Sequence, residues 1–397
     1  MGTTIKHLSQ RVSLITSDRL WIESAAVQQL NTTAELPHIA RAVGLPDLHP
    51  GRGYPVGAAF FSIDHFYPAL VGNDIGCGMA LWQTSLPIAK LKLDKLDKQW
   101  GTIDNAISED EWAVLTEIDP SWPERIQVLT DTMRMAGLDT AHLRSLGTIG
   151  GGNHFAELQM IDSVNDPESF AQTGLQPKQL QLLVHSGSRG LGQTILRAHV
   201  DAFSHHGLAD GSPAALAYLQ QHNSALQFAD CNRNLIAQRI MQRLRCTGEL
   251  ILDVHHNTVT PAVLEQERGW LHRKGASPSN QSLIMLPGSR GDYSYLLQPI
   301  TNSCEISLNS LAHGAGRKWQ RTDCKDRLYK LANPEQLSRT ALSSRVICKD
   351  RALIYEEAPQ AYKSVDSVLE CLLGAGLVQV IAKSKPVLTY KIRGECC

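Results

Sequence analysis

The sequence predicts a single domain, residues 1–397, that mixes helices and strands. Three observations favour this class. The chain has 397 residues and is 43% hydrophobic, which is enough to bury a large core. Short apolar runs of strand length alternate with glycine-rich loops, and one long segment has the spacing of a helix. No repeat or low-complexity linker divides the chain, so one domain is the simplest interpretation.

The individual elements follow from residue spacing. Ala25 to Ala42 have helical spacing and lead into a loop from Gly44 to Gly51, where proline and glycine favour irregular backbone. The leucines between Pro213 and Arg245 predict a long or paired helical segment that serves as scaffold. Four predicted strands each stop at a cluster of His, Asn, Ser or Gly: Leu180 to Val184, Glu249 to Val254, Leu283 to Leu286 and Arg345 to Ile347.

Charge and composition exclude several classes of protein. The net charge is -1, so any nucleic-acid contact must come from a local basic patch. No run of about 18 apolar residues is present, and Met1 to Val12 lack the layout of a signal peptide, so we expect a cytoplasmic protein without membrane contact. The nine cysteines are scattered without a CxxC pair, which favours reduced thiols over disulfides or structural zinc.

Residues from four glycine- or asparagine-rich segments predict a metal site. Asp74 and Cys77 lie three residues apart in the turn NDIGCGM, where both side chains can converge on one point. His154, His185 and a histidine of the segment DVHHN follow strand-like runs. Imidazole and thiolate suit borderline metals, and a carboxylate suits manganese or magnesium. With a bridging thiolate, such a set would support two ions that neutralise a phosphate group under attack.

The residues alone leave one ligand open. His255 and His256 compete for the same role, because adjacent strand residues point to opposite faces and only one can face a metal. His272 and His49 are further candidates of lower rank.

The run His313 to Arg317, HGAGR, predicts a nucleotidyl-transfer site. Two glycines let the backbone approach a phosphate while a neutral imidazole nitrogen points at it. Such a run is common in loops, so it is weak evidence when taken alone. The predicted metal site strengthens the interpretation, because metal ions and a histidine nucleophile would act on the same phosphate.

A second segment, Pro287 to Tyr295, offers backbone N–H groups and hydroxyls in a turn that can surround a ligand. Arg189, Arg273, Lys274 and Arg317 lie in glycine-rich contexts, which favours phosphate contact over a solvated charge run. We expect them to supply the local basic patch.

Eight ordered motifs give the chain a resemblance to the RtcB family of RNA-splicing ligases: NDIGCGM, GGGNHFAEL, VHSGSRGLG, DVHHN, HRKGA, PGSRGDYSYL, LAHGAGR and EAPQAYK. The motifs extend over almost the whole chain. The resemblance implies an α+β fold in which central β-sheets pack with surrounding helices. It also implies an active site in a cleft at strand ends and loops.

The resemblance further implies an activity. The family joins an RNA end with a 2',3'-cyclic phosphate or 3'-phosphate to a 5'-hydroxyl end, using GTP and manganese. His313 would attack the α-phosphate of GTP and carry GMP covalently. It would then pass GMP to the RNA 3'-phosphate, and the 5'-hydroxyl would displace GMP. These implied steps agree with a histidine nucleophile and a metal pair.

Residue roles follow motif by motif. The implied ligands of two manganese ions, with Cys77 bridging, are Asp74, Cys77, His154, His185 and His256. His255 becomes a spacer. The implied GTP-contacting residues are Asn153, His154, Phe155, Ala156, Glu157, His256, Asn257, Pro287, Gly288, Ser289, Arg290, Ser294, His313, Gly314, Ala315, Gly316 and Lys391. Tyr362 would line the base pocket, and Asp47 is similar to a family acidic residue near the active site.

Departures from the family pattern affect the nucleotide side. The usual lysine-glycine ending is replaced by Lys391 to Cys397, which leaves open whether Lys391 or Arg393 contacts guanine. PGSMGTASY becomes PGSRGDYSY, which adds Arg290 and Asp292. The segment YPALVGNDIGCGMALW is similar to the bacterial branch encoded beside peptide release factor H. That branch implies RNA repair coupled to a release factor, and we expect a monomer.

Two other functions fit part of this pattern. A metal-dependent phosphodiesterase that opens cyclic phosphates would need the metal ligands but not His313. An RNA-end-binding module would need neither, and the intact set of Cys77, His185, His256 and His313 speaks against it.

Overall fold

The computed structural model describes residues 4–300 and 305–394, with Lys90 described in its backbone only. Within these residues the helices α1 to α11 are, in chain order, Ser24–Ala34, Leu93–Trp100, Glu109–Ile118, Trp122–Met135, Pro167–Ala171, Gly190–Phe203, Pro213–Leu244, Arg321–Leu328, Pro334–Leu337, Leu353–Glu356 and Val365–Gly374. Short 3-10 helices lie at Pro68–Leu70, Ile88–Lys90, Thr140–Ser145 and Pro359–Ala361. No helix in these two segments has the length and apolar character needed to cross a membrane.

The strands of the same segments build two large sheets. Strands β1 to β18 are, in chain order, Ile5–His7, Val12–Ile15, Ile39–His49, Val56–Ser62, His65–Phe66, Gly78–Pro87, Phe155–Val164, Gln179–Ser186, Leu208–Ala209, Gly248–His255, Asn257–Leu264, Glu267–Lys274, Ala276–Pro278, Ile284–Pro287, Ser294–Pro299, Ser310–Ala312, Arg345–Cys348 and Val378–Ile392. The first sheet has the order β1-β2-β3-β4-β12-β11. The second has the order β10-β6-β8-β7-β18-β15-β14, with β17 paired to β18.

The two sheets pack face to face, and helices cover their outer faces. Strand alternation sends neighbouring side chains to opposite layers. Phe61 joins Leu183 in the core between the sheets, whereas Phe60 packs outward beneath α1. Leu182 packs on the opposite face of the second sheet against α2 and α7. The result is a four-layer arrangement of helix, sheet, sheet and helix, which confirms the α+β class.

The long helix α7 follows from its sequence. Ser212 caps its N-terminus by accepting a hydrogen bond from Ala215 N–H, and Pro213 occupies the first turn, where its missing N–H costs nothing. The helix continues without a break to Leu244, as predicted. The four predicted strands are also present, as β8, β10, β14 and β17.

The predicted helix from Ala25 to Ala42 is wrong beyond Ala34, where α1 ends. Pro37 disfavours helical backbone in the residue before it, and the following residues enter β3. The predicted loop from Gly44 is also strand up to His49, although its pairing with β4 is interrupted between these two residues. Local helical spacing is therefore overridden here by proline and by pairing in the sheet.

Six cysteines of the described segments are free thiols: Cys77, Cys231, Cys246, Cys324, Cys348 and Cys371. This agrees with the prediction of reduced thiols. The other three, Cys304, Cys396 and Cys397, lie outside the described residues.

Candidate active site

One edge of the second sheet gathers the predicted metal residues. β6 begins directly after Cys77, and its antiparallel neighbour β8 ends just beyond His185. β10 ends just before His256, and β7 begins just after His154. Because β8 and β10 each run antiparallel to β6, and β7 runs antiparallel to β8, these starts and ends fall at the same edge.

The five side chains form two overlapping groups, which we call the ligand cluster. Cys77 Sγ, His185 and His256 form one group, and Asp74, Cys77 and His154 form the other; within each, the donor atoms lie within 4.8 Å of one another. Cys77 Sγ lies 3.1 Å from His185 Nε2 and 3.4 Å from His154 Nε2. Cys77 is therefore the one residue that the two groups share, as the expected bridging role requires.

The ring of His154 is oriented by a backbone carbonyl, whereas His256 lacks such a contact at Nδ1 in the part of the chain that the structure describes. His154 Nδ1 lies 3.1 Å from the carbonyl oxygen of Ile149, so the Nδ1–H tautomer leaves Nε2 facing Asp74 Oδ2 at 2.7 Å. His185 Nε2 lies 3.3 Å from His256 Nε2. Buried Asp74 Oδ1 and His256 Nδ1 have no hydrogen-bond partner within the described residues. Unpaired buried polar atoms beside converging donors fit a bound cation.

Electrostatics support the same fit. Burial, reinforced by neighbouring histidines, lowers the pKa of His185 and of His256 well below 6.5, so both rings are neutral and offer lone pairs. Burial and the carboxylate of Asp74 raise the pKa of Cys77 well above 9.0. A thiol of this kind becomes a thiolate when a metal ion coordinates it. The cluster therefore suits one or two borderline divalent ions.

His313 lies beside this cluster and is held by Asp47. Its Nδ1 lies 2.6 Å from Asp47 Oδ2, and the same oxygen accepts the backbone N–H of His313 at 3.1 Å. Asp47 is fully buried, and its carboxylate fixes the proton on Nδ1. Nε2 is left as the lone-pair nitrogen for a substrate. The rings of His313 and His256 are 4.7 Å apart between centroids.

Two further contacts hold the Asp47–His313 pair. The one made by Lys363 was not predicted from the sequence. Lys363 Nζ donates to the carbonyl oxygens of Pro46 and Leu48, at 3.0 and 2.7 Å, and so fixes the backbone on both sides of Asp47. Gly316 has φ +71 and faces the Asp47 carbonyl, where a Cβ would stand only 2.2 Å from the oxygen. The AYK motif, from which we predicted only Tyr362, was the available signal for Lys363.

A second group of charges, which we call the Glu357 network, lies on the nucleotide side of the predicted site. Glu357 is buried and pairs with Arg317 at 3.2 Å, Arg321 at 2.5 Å and Lys391 at 3.4 Å. Tyr362 donates its hydroxyl to Glu357 at 2.6 Å. Burial raises the pKa of Glu357, but the three cations outweigh burial and hold it well below 4.5. The carboxylate is therefore ionised and compensated.

The two C-terminal candidates for a guanine contact, Lys391 and Arg393, have different partners in the structure. Lys391 Nζ lies 6.0 Å from the ring centroid of Phe155 and is buried beside Glu357. Arg393 instead pairs with Asp97. Of the two, Lys391 lies beside a residue of the predicted nucleotide site, Phe155.

The loop after β14 reaches the HGAGR run. Gly314 packs against Pro287, whose carbonyl oxygen is 3.3 Å from the position of a Cβ. Gly288 N–H donates to the carbonyl oxygen of Tyr293, which closes the loop around Ser289. Arg290 is buried and donates to the Ile354 carbonyl at 2.6 Å, but its Nε and Nη1 have no partner within the described residues. Buried donors of this kind favour a ligand with acceptor oxygens.

Other predicted nucleotide residues occupy the floor of the same region. Ala156 is fully buried, and the backbone of Asn153 is hydrogen-bonded to His185. Glu157 accepts hydrogen bonds from Gln159 and Thr389, at 2.8 and 2.5 Å. Ser294 Oγ accepts a hydrogen bond from the same Gln159. Asn257 donates to the Asp74 carbonyl and accepts from Gly275 N–H. These side chains are tied into the site, and their contact with a nucleotide stays a prediction.

Two residues of α7 support the metal loops, and sequence reasoning missed both because the helix was interpreted only as scaffold. Arg233 donates to the carbonyl oxygens of Gly76 and Ser186, each next to a residue of the ligand cluster, at 2.8 and 2.9 Å. Asn232 donates to Ser186 Oγ and to the Gly187 carbonyl. The sequence NRN in mid-helix was the available signal, since polar side chains rarely occupy a buried helix face without partners.

The lower-ranked histidines fall outside the ligand cluster. His255 pairs with Asp230 at 2.6 Å, which agrees with the expectation that only one of the two adjacent histidines faces the metal residues. His272 is a core residue that accepts from Tyr67 N–H. His49 contacts the Asp47 carbonyl, near His313.

Most residues of the expected basic patch donate hydrogen bonds to acceptors within the protein. Arg273 donates to Ser310 and to the Asn309 carbonyl, Lys274 donates to the Tyr54 carbonyl, and Arg317 belongs to the Glu357 network. Arg189 lies near Asp74 and helps to lower its pKa. Arg273, Lys274 and Arg317 each use at least one donor on a protein acceptor, and phosphate contact by the four residues stays a prediction.

Comparisons with known proteins agree with this architecture. A family model described as tRNA-splicing ligase RtcB matches residues 29–392. The chain is 55% identical to RNA-splicing ligase RtcB2 of Escherichia coli over 99% of both chains. It is 29% identical to tRNA-splicing ligase RtcB of Nanoarchaeum equitans, covering 96% of this chain and 95% of that one. It is 27% identical to the tRNA-splicing ligase RtcB of Thermococcus kodakarensis, covering 92% and 90%.

The fold, the ligand cluster and these relatives define an enzyme of the ligase class. The cluster offers a donor set that could hold a metal ion, and the hydrogen-bonded Asp47–His313 pair lies beside it. The chain belongs to the RtcB family over nearly its whole length.

Proposed function

We propose that this chain is a GTP- and manganese-dependent RNA ligase. It joins RNA ends that carry a 2',3'-cyclic phosphate or 3'-phosphate to 5'-hydroxyl ends, in the repair of cleaved RNA. The observation that carries the proposal is the contact of 2.6 Å between Asp47 and His313 Nδ1, which presents Nε2 next to the ligand cluster. The named activities of its relatives support RNA as the substrate.

The proposed reaction has three steps from a 3'-phosphate end. A 2',3'-cyclic phosphate is first opened by water, which breaks the bond from phosphorus to the 2'-oxygen and leaves a 2'-hydroxyl and a 3'-phosphate. His313 Nε2 attacks the α-phosphorus of GTP, so that a P–N bond forms and pyrophosphate leaves. An oxygen of the RNA 3'-phosphate then attacks this phosphorus, the P–N bond breaks, and an RNA-3'-pp-5'-G intermediate forms. Finally the 5'-hydroxyl attacks the RNA phosphate and GMP leaves as the new phosphodiester bond forms. Asp47 keeps the proton on Nδ1 throughout, which stabilises the charge that the ring gains.

The ligand cluster would hold manganese during these steps. Asp74, Cys77, His154, His185 and His256 are the proposed ligands, with Cys77 between two ions. Bound divalent ions supply charge neutralisation for phosphate groups under attack. The unpartnered Nε and Nη1 of Arg290 and the buried ammonium of Lys391 are proposed to receive acceptor oxygens of GTP.

Protein labelling tests the proposal. The purified protein is incubated with manganese and GTP labelled at the α-phosphate, and the protein-bound label is measured. We expect labelling in the wild type, none in His313→Ala, and wild-type labelling in the surface control His206→Ala. Opening of a cyclic phosphate without protein-bound GMP at any manganese concentration would overturn the ligase proposal in favour of a phosphodiesterase. Coupling to a peptide release factor stays a prediction from the resemblance.

A further inference from the structure

An open cleft with two tryptophans lies near the HGAGR run and has no role in the proposed chemistry. It has a volume of about 420 Å3 and is formed by the segment before α1 and by the segment that leads into α8. Its walls are Trp21, Glu23, Lys318, Trp319, Gln320, Asp323 and Arg327. We call it the aromatic cleft. Its volume falls within the range of about 300–1000 Å3 that is typical of small-ligand sites.

The tryptophans expose ring surface that the fold does not use. Trp21 is 50% exposed, although a large aromatic ring gains most from burial. Trp319 is partly exposed and has two cations near its ring, with Lys318 Nζ at 5.7 Å and Arg327 Cζ at 5.1 Å from the centroid. Aromatic rings interleaved with cations are the usual platform for stacking nucleobases.

The cleft is close to the proposed nucleophile and is held rigidly. Trp319 follows His313 by six residues, so an extended chain places them at most ~20 Å apart. The backbone N–H groups of Lys318 and Trp319 donate to the Ala361 carbonyl at 2.7 and 3.2 Å. Arg317, immediately before them, is fixed in the Glu357 network. A ligand in the cleft would therefore keep a constant position relative to His313.

The surface around the cleft carries positive charge, which favours contact with a nucleic acid. Residues 317–330 contain six Lys and Arg against two Asp, and Arg317 and Arg321 are compensated by Glu357. Four cations then remain against the two Asp residues: Lys318, Lys325, Arg327 and Lys330. Within the cleft itself the acidic and basic side chains balance, and Arg327 lies 3.8 Å from Asp323. The cleft therefore favours ring stacking over phosphate attraction. Lys318 and the neighbouring Lys325 and Lys330 remain to meet the backbone.

We propose that the aromatic cleft binds an unpaired nucleotide of the RNA, next to the end that is joined. Its base stacks on Trp21 and Trp319, Glu23 and Asp323 accept hydrogen bonds from base amino groups, and Lys318 meets the flanking phosphate. Stacked bases inside a duplex cannot enter such a cleft, so the site selects single-stranded ends. This proposal rests on the proposed ligase function, because it assigns RNA as the ligand.

Binding of a fluorescein-labelled single-stranded RNA with a 3'-phosphate tests the cleft. We expect Trp319→Ala and Trp21→Ala to weaken RNA binding and to raise the KM for RNA by about 5- to 150-fold each, the range for one base stacked on an aromatic ring. Trp319→Phe and Trp21→Phe should restore most of the affinity, because phenylalanine keeps a stacking face. Tyr329→Ala is the matched control, since Tyr329 is 53% exposed with a lysine near its ring but lies outside the cleft.

The two proposals fail in different ways. Unchanged RNA affinity and KM in both alanine variants would overturn the cleft proposal and leave the ligase proposal intact. It would also be overturned if duplex RNA bound as tightly as single-stranded RNA and lost the same affinity in the variants. A wild-type protein that binds RNA through the cleft but never acquires GMP would overturn the ligase proposal alone.

Discussion

The ligand cluster and the Glu357 network are both buried and polar, but they differ in how their groups are satisfied. In the Glu357 network, Arg317, Arg321 and Lys391 surround one carboxylate, and each of these charges has an opposite partner. In the ligand cluster, neutral imidazoles and a thiol face one another, and buried Asp74 Oδ1 and His256 Nδ1 have no partner within the described residues.

This difference distinguishes buried polar groups that compensate one another from buried polar groups that are arranged to bind a ligand. Buried charges that compensate one another can persist without a ligand, and removal of one partner is costly because it leaves an uncompensated buried charge. Donor atoms that converge without a partner are stable only when something else binds. We therefore expect substitutions in the ligand cluster to remove metal and activity, and substitution of the central carboxylate Glu357 to reduce stability.

Cys77→Ala tests the first half of this comparison and should have the largest effect. Loss of the atom that both groups share should release both metal ions and reduce ligation by at least about 1000-fold, since bound metal supplies several kcal/mol of charge stabilisation. Metal content measured by mass spectrometry and ligation rates check this. Cys371→Ala, which removes a fully buried thiol far from the cluster in sequence, is the control. Two ions retained by Cys77→Ala would refute the bridging role.

Glu357→Gln tests the second half. Removing the central carboxylate leaves three cations without their main partner, and we expect the free energy of unfolding to fall by about 3 kcal/mol. Urea denaturation measures the change, while metal content should stay the same. Glu356→Gln is the control, because the Glu356 side chain is 30% exposed and its carboxylate pairs only with Arg321, at 3.3 Å, among these cations. Its contact with Arg317 is made by the backbone carbonyl, which the substitution keeps, so the loss should be below about 1 kcal/mol. Equal losses in the two variants would contradict the comparison.

Glu157 sharpens the comparison, because it is a buried carboxyl whose charge is only weakly compensated. Burial raises its pKa from 4.5 to about 7. Between these two pKa values the folded protein keeps a proton on Glu157 that the unfolded chain has released. The resulting stabilisation is fully present below the pKa of the unfolded chain, 4.5, and is lost as the pH rises through the pKa of the folded protein, about 7. We expect a loss of about 1 kcal/mol between about pH 6 and about pH 8.

The matched variant for this pH effect is Glu157→Gln, which imitates the protonated carboxyl. Its free energy of unfolding should lack this part of the pH dependence when both proteins are compared by urea denaturation. An identical pH profile for the two proteins would show that Glu157 does not titrate in this range.

The sequence predicted the ligand cluster better than it predicted the supports of that cluster. Asp74, Cys77 and His185 each lie at a glycine-rich strand end, where local sequence indicates both the element and its polar tip. Asn232 and Lys363 act on loops distant in sequence, and only tertiary packing determines which loops they reach. The same limit explains the misplaced end of α1, because pairing of β3 with distant strands overrides local helical spacing.

The contact between Asp47 and His313 also bears on the synthesis of the protein. The two residues are separated by 266 positions in sequence. A ribosome must therefore release most of the chain before the histidine can meet the carboxylate that orients it. The Asp47–His313 pair is therefore assembled late in translation, after the residues of the ligand cluster, which end at His256, have emerged. Truncated products that end before residue 313 contain the ligand-cluster residues in their sequence but lack both the proposed nucleophile His313 and strand β18 of the second sheet.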